Sequence, residues 1–177
     1  MSEQMEVAVL GGGCFWCHDA VYRQVRGVVS VETGYMGGQV AQPTHEQVAA
    51  GHTGHAQVVR LAFDPAVVSY HDLLDVFFTS HDPTTAERQG NDAGPQFRSV
   101  IFTASARQAA VARQVIAGMA AVWDAPIVTQ VLPVQSWYRA EDEHQDYVAR
   151  HPALAYCMLV AAPRVAQFRA MHAGLAK

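Results

Sequence analysis

A run of three glycines at residues 11–13 most constrains how this chain folds. The residues before it, 7–10, are Val-Ala-Val-Leu and are typical of a buried strand, while residues 18–25 have the composition of a helix. Glycine lets the backbone turn tightly between two such elements. The pattern therefore predicts a strand, a tight turn and a helix, with Cys14 at or near the first helical turn.

Cys14 is the candidate reactive group of this turn. The first turn of a helix has unpaired backbone N–H groups and the positive end of the helix dipole, and both favour a thiolate over a thiol. Cysteines so placed commonly have a pKa lowered by about one unit or more, and the thiolate is the reactive form. Phe15 and Trp16 follow at once. Packing in the core is one interpretation of these aromatics, and an apolar wall for a small ligand is the one we favour.

The composition predicts one globular domain over residues 1–177, with half of the residues apolar. The net charge of −4 argues against a nucleic-acid partner. No apolar run approaches the roughly 20 residues of a membrane span, and the N-terminal stretch lacks the pattern of a signal peptide. Three cysteines are too few for a disulfide scaffold, so we expect catalytic or redox thiols in a cytoplasmic protein.

The remaining patterns predict strands and helices that mix without strict alternation. Strands are expected at residues 27–33, 55–63, 99–102 and 127–134, helices after Ser69 and Ser105 and from Glu141 and Pro163, and ordered loops at residues 39–54 and 84–96. The fold class is therefore α+β, with two layers in which helices pack on a mixed β-sheet.

Gln57 interrupts an otherwise apolar strand face. The two-residue period places it on the same side as Val59, Leu61 and Phe63. Two interpretations stay open: a strand-end residue that reaches water, or a polar group that points into a pocket.

Eight short motifs in a fixed order are the most specific feature of the sequence. They are Gly-Cys-Phe-Trp-Cys (13–17), Thr-Gly-Tyr-Met-Gly-Gly (33–38), Gly-His-Thr-Gly-His-Ala (51–56), His-Asp-Pro-Thr (81–84), Arg-Gln-Gly-Asn-Asp (88–92), Gln-Phe-Arg-Ser (96–99), Ala-Glu-Asp-Glu-His-Gln (140–145) and Tyr-Cys (156–157). Through them the chain resembles the peptide methionine sulfoxide reductase A family over nearly its whole length. The cysteine directly after the tryptophan is typical of a subgroup. The resemblance implies a ferredoxin-like form of the two-layer fold.

The resemblance also implies a reaction, the reduction of methionine S-sulfoxide, either free or in proteins. Cys14 attacks the sulfoxide sulfur, methionine is released and Cys14 becomes a sulfenic acid. A second thiol then forms a disulfide that a thioredoxin-like donor or another dithiol reduces. Phe15 and Trp16 hold the substrate methyl group, and Asp92 orients the site. No metal or organic cofactor is implied, and we expect a monomer.

Two cysteines are candidates for the second thiol. Cys157 stands in the Tyr-Cys position where the family often has its resolving cysteine. Cys17 lies one helical turn after Cys14 and is the alternative, although a small packed side chain would also explain it. Because a disulfide brings two sulfurs to about 2 Å, a Cys157 carried on a loop must be mobile.

Three positions depart from the family pattern. Gln57 stands where the family has a glutamate that protonates the sulfoxide oxygen, His45 replaces an oxygen-binding tyrosine, and Phe97 replaces another tyrosine. The loss of a general acid typically costs about 10²–10⁴-fold in rate. Either His45 supplies the proton, or the chain is a paralogue with weak, altered or lost reductase activity.

Other functions are compatible with parts of the sequence. His52 and His55 suggest a zinc site, but they lie in a glycine turn without a paired Cys-x-x-Cys. Phe15 and Trp16 would also suit a module that binds methionine side chains without catalysis. Cys14 and Cys17 would suit a general thiol oxidoreductase, although the thioredoxin-like element order is missing.

Overall fold

The structure is a computed structural model that describes residues 4–177. Part of the N-terminal stretch in which no signal peptide was expected, residues 1–3, lies outside the described residues.

Eight strands and six α-helices are present in the described part of the chain. The strands are β1 Glu6–Gly12, β2 Val28–Met36, β3 Ala56–Phe63, β4 Arg88–Gln89, β5 Asp92–Ala93, β6 Ser99–Thr103, β7 Gln130–Pro133 and β8 Tyr138–Arg139. The helices are α1 Phe15–Tyr22, α2 His45–Ala49, α3 Tyr70–Ser80, α4 Ala106–Met119, α5 Tyr147–Arg150 and α6 Ala162–Met171. Within residues 4–177, every helix falls short of the length and apolarity that crossing a bilayer requires.

Six strands form one sheet in the order β7-β6-β1-β3-β2-β8. Its four central strands pair antiparallel, and with α1 and α3 they follow the β-α-β-β-α-β order of a ferredoxin-like unit. β7 adds to β6 in parallel and β8 adds to β2 antiparallel, so the complete sheet is mixed. The predicted α+β fold with a mixed sheet is confirmed. β4 and β5 form a separate hairpin.

The alternation of side chains along the strands separates two apolar clusters. Leu10 and Leu61 belong to the larger cluster, which the helices cover. Val9, next to Leu10, and Val58, three residues before Leu61, lie in a smaller cluster on the opposite face. The helices thus lie on one face of the sheet, as a two-layer fold requires.

The two predicted helix caps are confirmed. Ser69 accepts a hydrogen bond from the Asp72 N–H and the Asp72 carboxylate accepts one from the Ser69 N–H, which is a complete capping box. Ser105 accepts one from the Gln108 N–H at the start of α4. Both signals are local in sequence, which is why the sequence was sufficient to find them.

Three local predictions were wrong. Residues 39–54 are not purely a loop, because Thr44 and Gln47 form a capping box that starts α2. The helix expected from Glu141 is a short 3₁₀ turn, and α5 begins only after Asp146, whose φ of +53° interrupts the helical path. Cys157 is not on a loop, since Cys157–Ala161 is a π-helical segment that runs into α6.

Candidate active site

Cys14 is the N-cap residue of α1, with φ −63° and ψ 128°. The turn before it requires glycine, because Gly13 has a φ of +107° and a Cβ on Gly12 would lie 2.8 Å from the ring of His81. His18 donates a hydrogen bond from Nε2 to the Gly12 carbonyl at 2.8 Å. The predicted strand, turn and helix are confirmed, and two buried imidazoles hold the turn in place.

The prediction that the Cys14 pKa is lowered was wrong for this conformation. The Cys14 side chain is only 7% exposed. Burial raises the pKa of the Cys14 thiol far above its usual range, and the neighbouring Cys17 raises it further. A hydrogen bond from the Trp16 backbone favours the thiolate, but burial outweighs it. Cys14 therefore keeps its proton at rest.

Trp16, two residues after Cys14, stacks on the ring of Tyr147. The half-buried Trp16 ring lies 3.8 Å from the Tyr147 ring, with only 4° between the planes. Trp16 Nε1–H donates to His144 Nδ1 at 3.2 Å, so the proton of a neutral His144 is on Nε2. Phe15 is fully buried and lies 5.9 Å from His45. Sequence reasoning missed Tyr147 and His144, although the motif at residues 140–145 contains His144 and ends two residues before Tyr147.

Gln57 is buried and caps α1. Its Oε1 accepts a hydrogen bond from the Phe15 N–H at 3.1 Å, which satisfies one of the free donors at the helix start. Because that contact fixes Oε1 as the acceptor, the NH₂ group of Gln57 remains as a donor. The interpretation of Gln57 as a strand-end residue that reaches water was wrong, since Gln57 is only 2% exposed.

The His45 ring packs against the rings of Trp16 and His144. Its ring is 6.0 Å from Trp16 and 4.2 Å from His144, nearly parallel to both. Its backbone N–H donates to Glu141 Oε2 at 3.0 Å. Burial, and then the nearby His144, lower the pKa of His45. His45 is therefore a neutral imidazole at pH 7.

A cavity of about 420 Å³ opens beside this histidine pair. It is lined by Thr44, His45, Glu46, Glu141, Glu143 and His144. A polar cavity next to an aromatic stack can receive a small ligand that has one apolar and one polar end.

Asp92 and Tyr156 complete the surroundings of the thiols. The Tyr156 hydroxyl donates to Asp92 Oδ2 at 3.1 Å and lies 3.6 Å from Cys17 Sγ. Asp92 is thus joined to the site through Tyr156, a residue to which sequence reasoning gave no role beyond its motif. Phe97 is half-buried at the end of a 3₁₀ turn, and no aromatic pair joins it to Phe15 or Trp16 within the described residues.

All three cysteines are buried and unbridged. Cys17 is in the first turn of α1, and Cys157 begins the π-helical segment that packs against α1. Burial raises the pKa of both thiols. The structure therefore brings both candidate second thiols to the same end of α1.

Of the two histidines considered for zinc, His55 has another role. Both ring nitrogens of His55 are occupied, Nδ1 by the Gly38 N–H at 3.0 Å and Nε2 by the Val40 carbonyl at 2.7 Å. His55 therefore ties residues 38–40 to the start of β3. In residues 4–177 the one group of potential metal ligands within 4.8 Å of one another is His71, Asp72 and Asp75, on α3.

Comparison with known proteins decides the family. The sequence profile of the peptide methionine sulfoxide reductases matches residues 6–175. The chain belongs to the peptide methionine sulfoxide reductase family. The family and the enzyme class predicted from the motifs are thereby confirmed.

Relatives in this reductase family extend over almost the full chain. Peptide methionine sulfoxide reductase MsrA of Ralstonia nicotianae is 54% identical over 173 residues, covering 94% of this chain and 91% of its own. The protein of the same name from Sulfolobus acidocaldarius is 49% identical, covering 93% of each chain.

Solved structures of reductases in this family share the fold. Mxr1 of Saccharomyces cerevisiae in reduced form has a TM-score of 0.83 and 30% identity, covering 87% of this chain and 90% of its own. Methionine sulfoxide reductase A of Corynebacterium diphtheriae has a TM-score of 0.77 and 34% identity, covering 84% and 76%.

Proposed function

We propose that this reductase acts on the S epimer of methionine sulfoxide, free or in proteins, with Cys14 as the nucleophile. The observation that carries the proposal is the position of Cys14 on a glycine turn at the start of α1, two residues before Trp16, whose ring packs against His45 and His144 of the polar cavity. The Trp16 ring suits the methyl group and the polar cavity suits the sulfoxide oxygen. Phe15 is buried in the core, so its contribution to the methyl pocket is to support Trp16 and His45 from within the fold.

The first step transfers the oxygen to Cys14. The Cys14 sulfur attacks the sulfoxide sulfur, the sulfur–oxygen bond of the substrate breaks, and Cys14 ends as a sulfenic acid while methionine is released. The substrate sulfur gains two electrons and the Cys14 sulfur loses two. The thiol proton of Cys14 ends on the transferred oxygen, so the overall step needs no added proton. Position 57 carries no acid, so this route takes its proton from the Cys14 thiol itself.

Gln57 stabilises the oxygen as a hydrogen-bond donor, whereas His45 acts as an acid and base. A neutral imidazole accepts on one nitrogen and donates from the other, so His45 can relay the Cys14 proton towards the oxygen. The free NH₂ group of Gln57 is a second donor at the helix start. Asp92 orients the site through Tyr156.

The second half of the reaction restores the thiols. An internal thiol, Cys157 or Cys17, forms a disulfide with Cys14 and releases water, and a thioredoxin-like dithiol reduces that disulfide. The burial of both thiols at one end of α1 supports an internal disulfide. We further propose that the protein is a cytoplasmic monomer without a resident metal or organic cofactor.

The test is epimer-resolved turnover. Methionine S-sulfoxide with dithiothreitol should give methionine and oxidise one dithiol per turnover, while the R epimer should react at least about 100-fold more slowly. Cys14→Ser should abolish turnover, and Cys157→Ser should keep the release of methionine in a single turnover. Absence of methionine from both epimers would contradict the proposal and favour a module that binds without catalysis or a paralogue without activity.

A further inference from the structure

A groove continues from the proposed active site beyond the histidine pair. A second cavity of about 430 Å³ lies beside the one at His45 and His144. Thr44 and Glu141 line both cavities, so the two meet at these residues and form one groove. From this junction the groove runs between residues 42–44 and residues 137–139. Each cavity alone has the size of a small-molecule pocket, so the groove has room for more than one side chain.

Glu141 and Thr44 fix the junction of the two cavities. Glu141 Oε1 accepts a hydrogen bond from the Tyr35 hydroxyl at 3.0 Å, and its Oε2 accepts one from the His45 N–H at 3.0 Å. Thr44 and Gln47 form the capping box at the start of α2. The junction is therefore preformed, and a ligand that enters the groove does not have to order it.

The strand β8 gives one wall of the groove a free backbone edge. β8 is the last strand in the sheet order, so it has β2 on one side and no strand of residues 4–177 on the other. The Ala140 N–H donates to the Thr33 carbonyl at 2.9 Å, towards β2. Backbone groups of successive residues alternate in direction along a strand, so the N–H and C=O of Arg139 point away from β2. Such an edge is a template for another extended chain.

Trp137 gives the far end of the groove an aromatic surface. The ring is half-buried and packs so closely on Gly34 that a Cβ there would clash with it. The Arg60 guanidinium lies 5.6 Å from the centroid of the ring. These contacts hold the Trp137 ring in place beside the free edge of β8.

The spacing along this wall fits an extended chain. A strand advances about 3.3 Å per residue, so Arg139 lies about 7 Å and Trp137 about 13 Å from Glu141 along the groove. An extended ligand advances at the same rate. A ligand residue whose side chain reaches Trp16 past the junction is therefore about two positions from the one at Arg139 and about four from the one at Trp137.

We propose that this groove binds an extended segment of an oxidised polypeptide, which pairs its backbone with Arg139 and packs on Trp137 while its sulfoxide side chain lies beside Trp16. The proposal rests on the proposed function, which supplies the sulfoxide chemistry, and it names the substrate class. Methionine sulfoxide in a flexible or unfolded segment is the better substrate. The free amino acid cannot reach β8, and a helix has its backbone groups already paired.

The experiment compares kcat/KM for two substrates with dithiothreitol as the reductant. One is N-acetyl-methionine S-sulfoxide amide, and the other is a nine-residue peptide with the sulfoxide at its centre. The peptide should be at least about 10-fold better, because two backbone hydrogen bonds and an aromatic contact add binding energy that the single residue cannot gain. Values within about 2-fold of each other would overturn the proposal.

Two variants of Arg139 isolate the strand edge. Arg139→Pro removes the outward N–H, a change that edge strands tolerate, and should reduce the advantage of the peptide at least about 5-fold. Arg139→Ala keeps the N–H and loses only exposed contacts with Glu32 and Asp142, so most of the advantage should remain. Equal effects of the two variants would contradict pairing with the backbone. Circular dichroism checks that each variant folds.

Trp137 is tested by the choice of side chain in the peptide. The parent should prefer leucine to glycine four positions from the sulfoxide, and Trp137→Ala should remove that preference. Trp123→Ala, a change at a half-buried tryptophan that lines neither cavity, is the control. A preference that survives in Trp137→Ala would contradict the role of Trp137. A dimer of the parent that Arg139→Pro dissociates in sedimentation would mean that β8 pairs with a second copy, and the proposal would be wrong.

Binding to the inactive Cys14→Ser variant separates this proposal from the proposed function. The probe is the nine-residue peptide with a fluorescent label, followed by anisotropy. If the parent reduces no sulfoxide but Cys14→Ser binds the peptide and Arg139→Pro in that background weakens binding, the reaction is wrong and the groove stands. If the parent reduces the single residue as well as the peptide, the reaction stands and the groove is wrong.

Discussion

At the scale of single residues, Gln57 shows how an amide can hold the start of α1 without supplying an acid. The amide still gives the Phe15 N–H an acceptor, as a carboxylate in the same place would. What it lacks is a proton that it can release. A glutamate there would be buried, which raises a carboxyl pKa and produces a general acid near neutral pH.

We expect Gln57→Glu to raise kcat for methionine S-sulfoxide by about 10–100-fold. The new carboxyl group keeps the contact with the Phe15 N–H and offers its second oxygen to the substrate. Steady-state turnover with dithiothreitol measures the change, and Gln57→Met, which has similar length but no polar group, should fall below the parent. An unchanged kcat in Gln57→Glu would mean that the proton from Cys14 already suffices.

The sequence predicted the position of Gln57 in the sheet better than it predicted the charge states of Cys14 and His45. A two-residue period was enough to place Gln57 on the apolar face of β3. It could not show that burial raises the pKa of Cys14, because burial depends on the packing of the whole chain and not on the residues next to Cys14. The pKa of His45 is lowered by burial and then by His144, which is distant in sequence.

At the scale of elements, α1 is fixed to the C-terminal part of the chain through Asp19. This buried carboxylate accepts from Arg23 Nε at 2.5 Å and from the Asp146 N–H at 2.7 Å. Burial raises the pKa of Asp19 to about 6, although Arg23 opposes this, so Asp19 is mostly ionised at pH 7.5. The contact holds Asp146 at its positive φ and directs α5, with Tyr147, against Trp16.

We expect Asp19→Asn to lower the free energy of unfolding by about 2 kcal/mol, since it removes a buried charge from beside Arg23 and weakens the contact with Asp146. Urea unfolding at pH 7.5 measures the change. Asp124→Asn, an exposed change, is the matched control and should stay within about 0.5 kcal/mol of the parent. A similarly small effect of Asp19→Asn would contradict the structural role of this carboxylate.

The same contact explains why the helix predicted from Glu141 is interrupted. The acidic residues at 141–143 are a typical first turn, and nothing nearby in sequence interrupts the pattern. The interruption comes from Asp19, more than a hundred residues earlier. By contrast, the caps of α3 and α4 use residues three apart, so their signals were complete within one window.

At the scale of the whole molecule, a chain of buried polar groups lies beneath the glycine turn. His81 donates from Nδ1 to the Phe77 carbonyl, and its Nε2 accepts from the Ser99 hydroxyl at 2.7 Å. Burial lowers the pKa of His18 to about 4 and that of His81 to about 3. Both rings are neutral in the folded protein throughout the physiological range of pH.

We expect the free energy of unfolding to fall by roughly 2–4 kcal/mol between pH 7.5 and pH 5. The unfolded chain protonates these histidines below a pKa of about 6.5, whereas the folded chain resists protonation until about pH 4, so stability is present above 6.5 and is lost as pH falls. Asp19, whose pKa is raised, offsets part of the loss because it takes up a proton more readily when folded.

Comparison of variants isolates the histidine contribution. His81→Asn should flatten the dependence of unfolding free energy on pH, measured by urea titration at each pH. His71→Asn should leave it as steep as in the parent, because His71 is exposed. Equal slopes in His81→Asn and the parent would contradict the role of His81.

Much of the fold was available from the sequence. Five strands, the two capped helices and the layered class follow from periodicity and turn residues. The ferredoxin-like strand order came only through the family resemblance, since periodicity does not say which strands pair. The π-helical segment at Cys157 could not be predicted, because its apolar run of residues is compatible with loop, helix or strand.

The chain has two parts with different structural roles, one before and one after the end of β7. The first 133 residues contain all but one short strand of the sheet, whereas the residues after them supply His144 and Tyr147 beside Trp16, and Tyr156 and Cys157 beside α1. A change in the last quarter of the sequence therefore alters what lies around the thiols and leaves the central strands of the sheet intact.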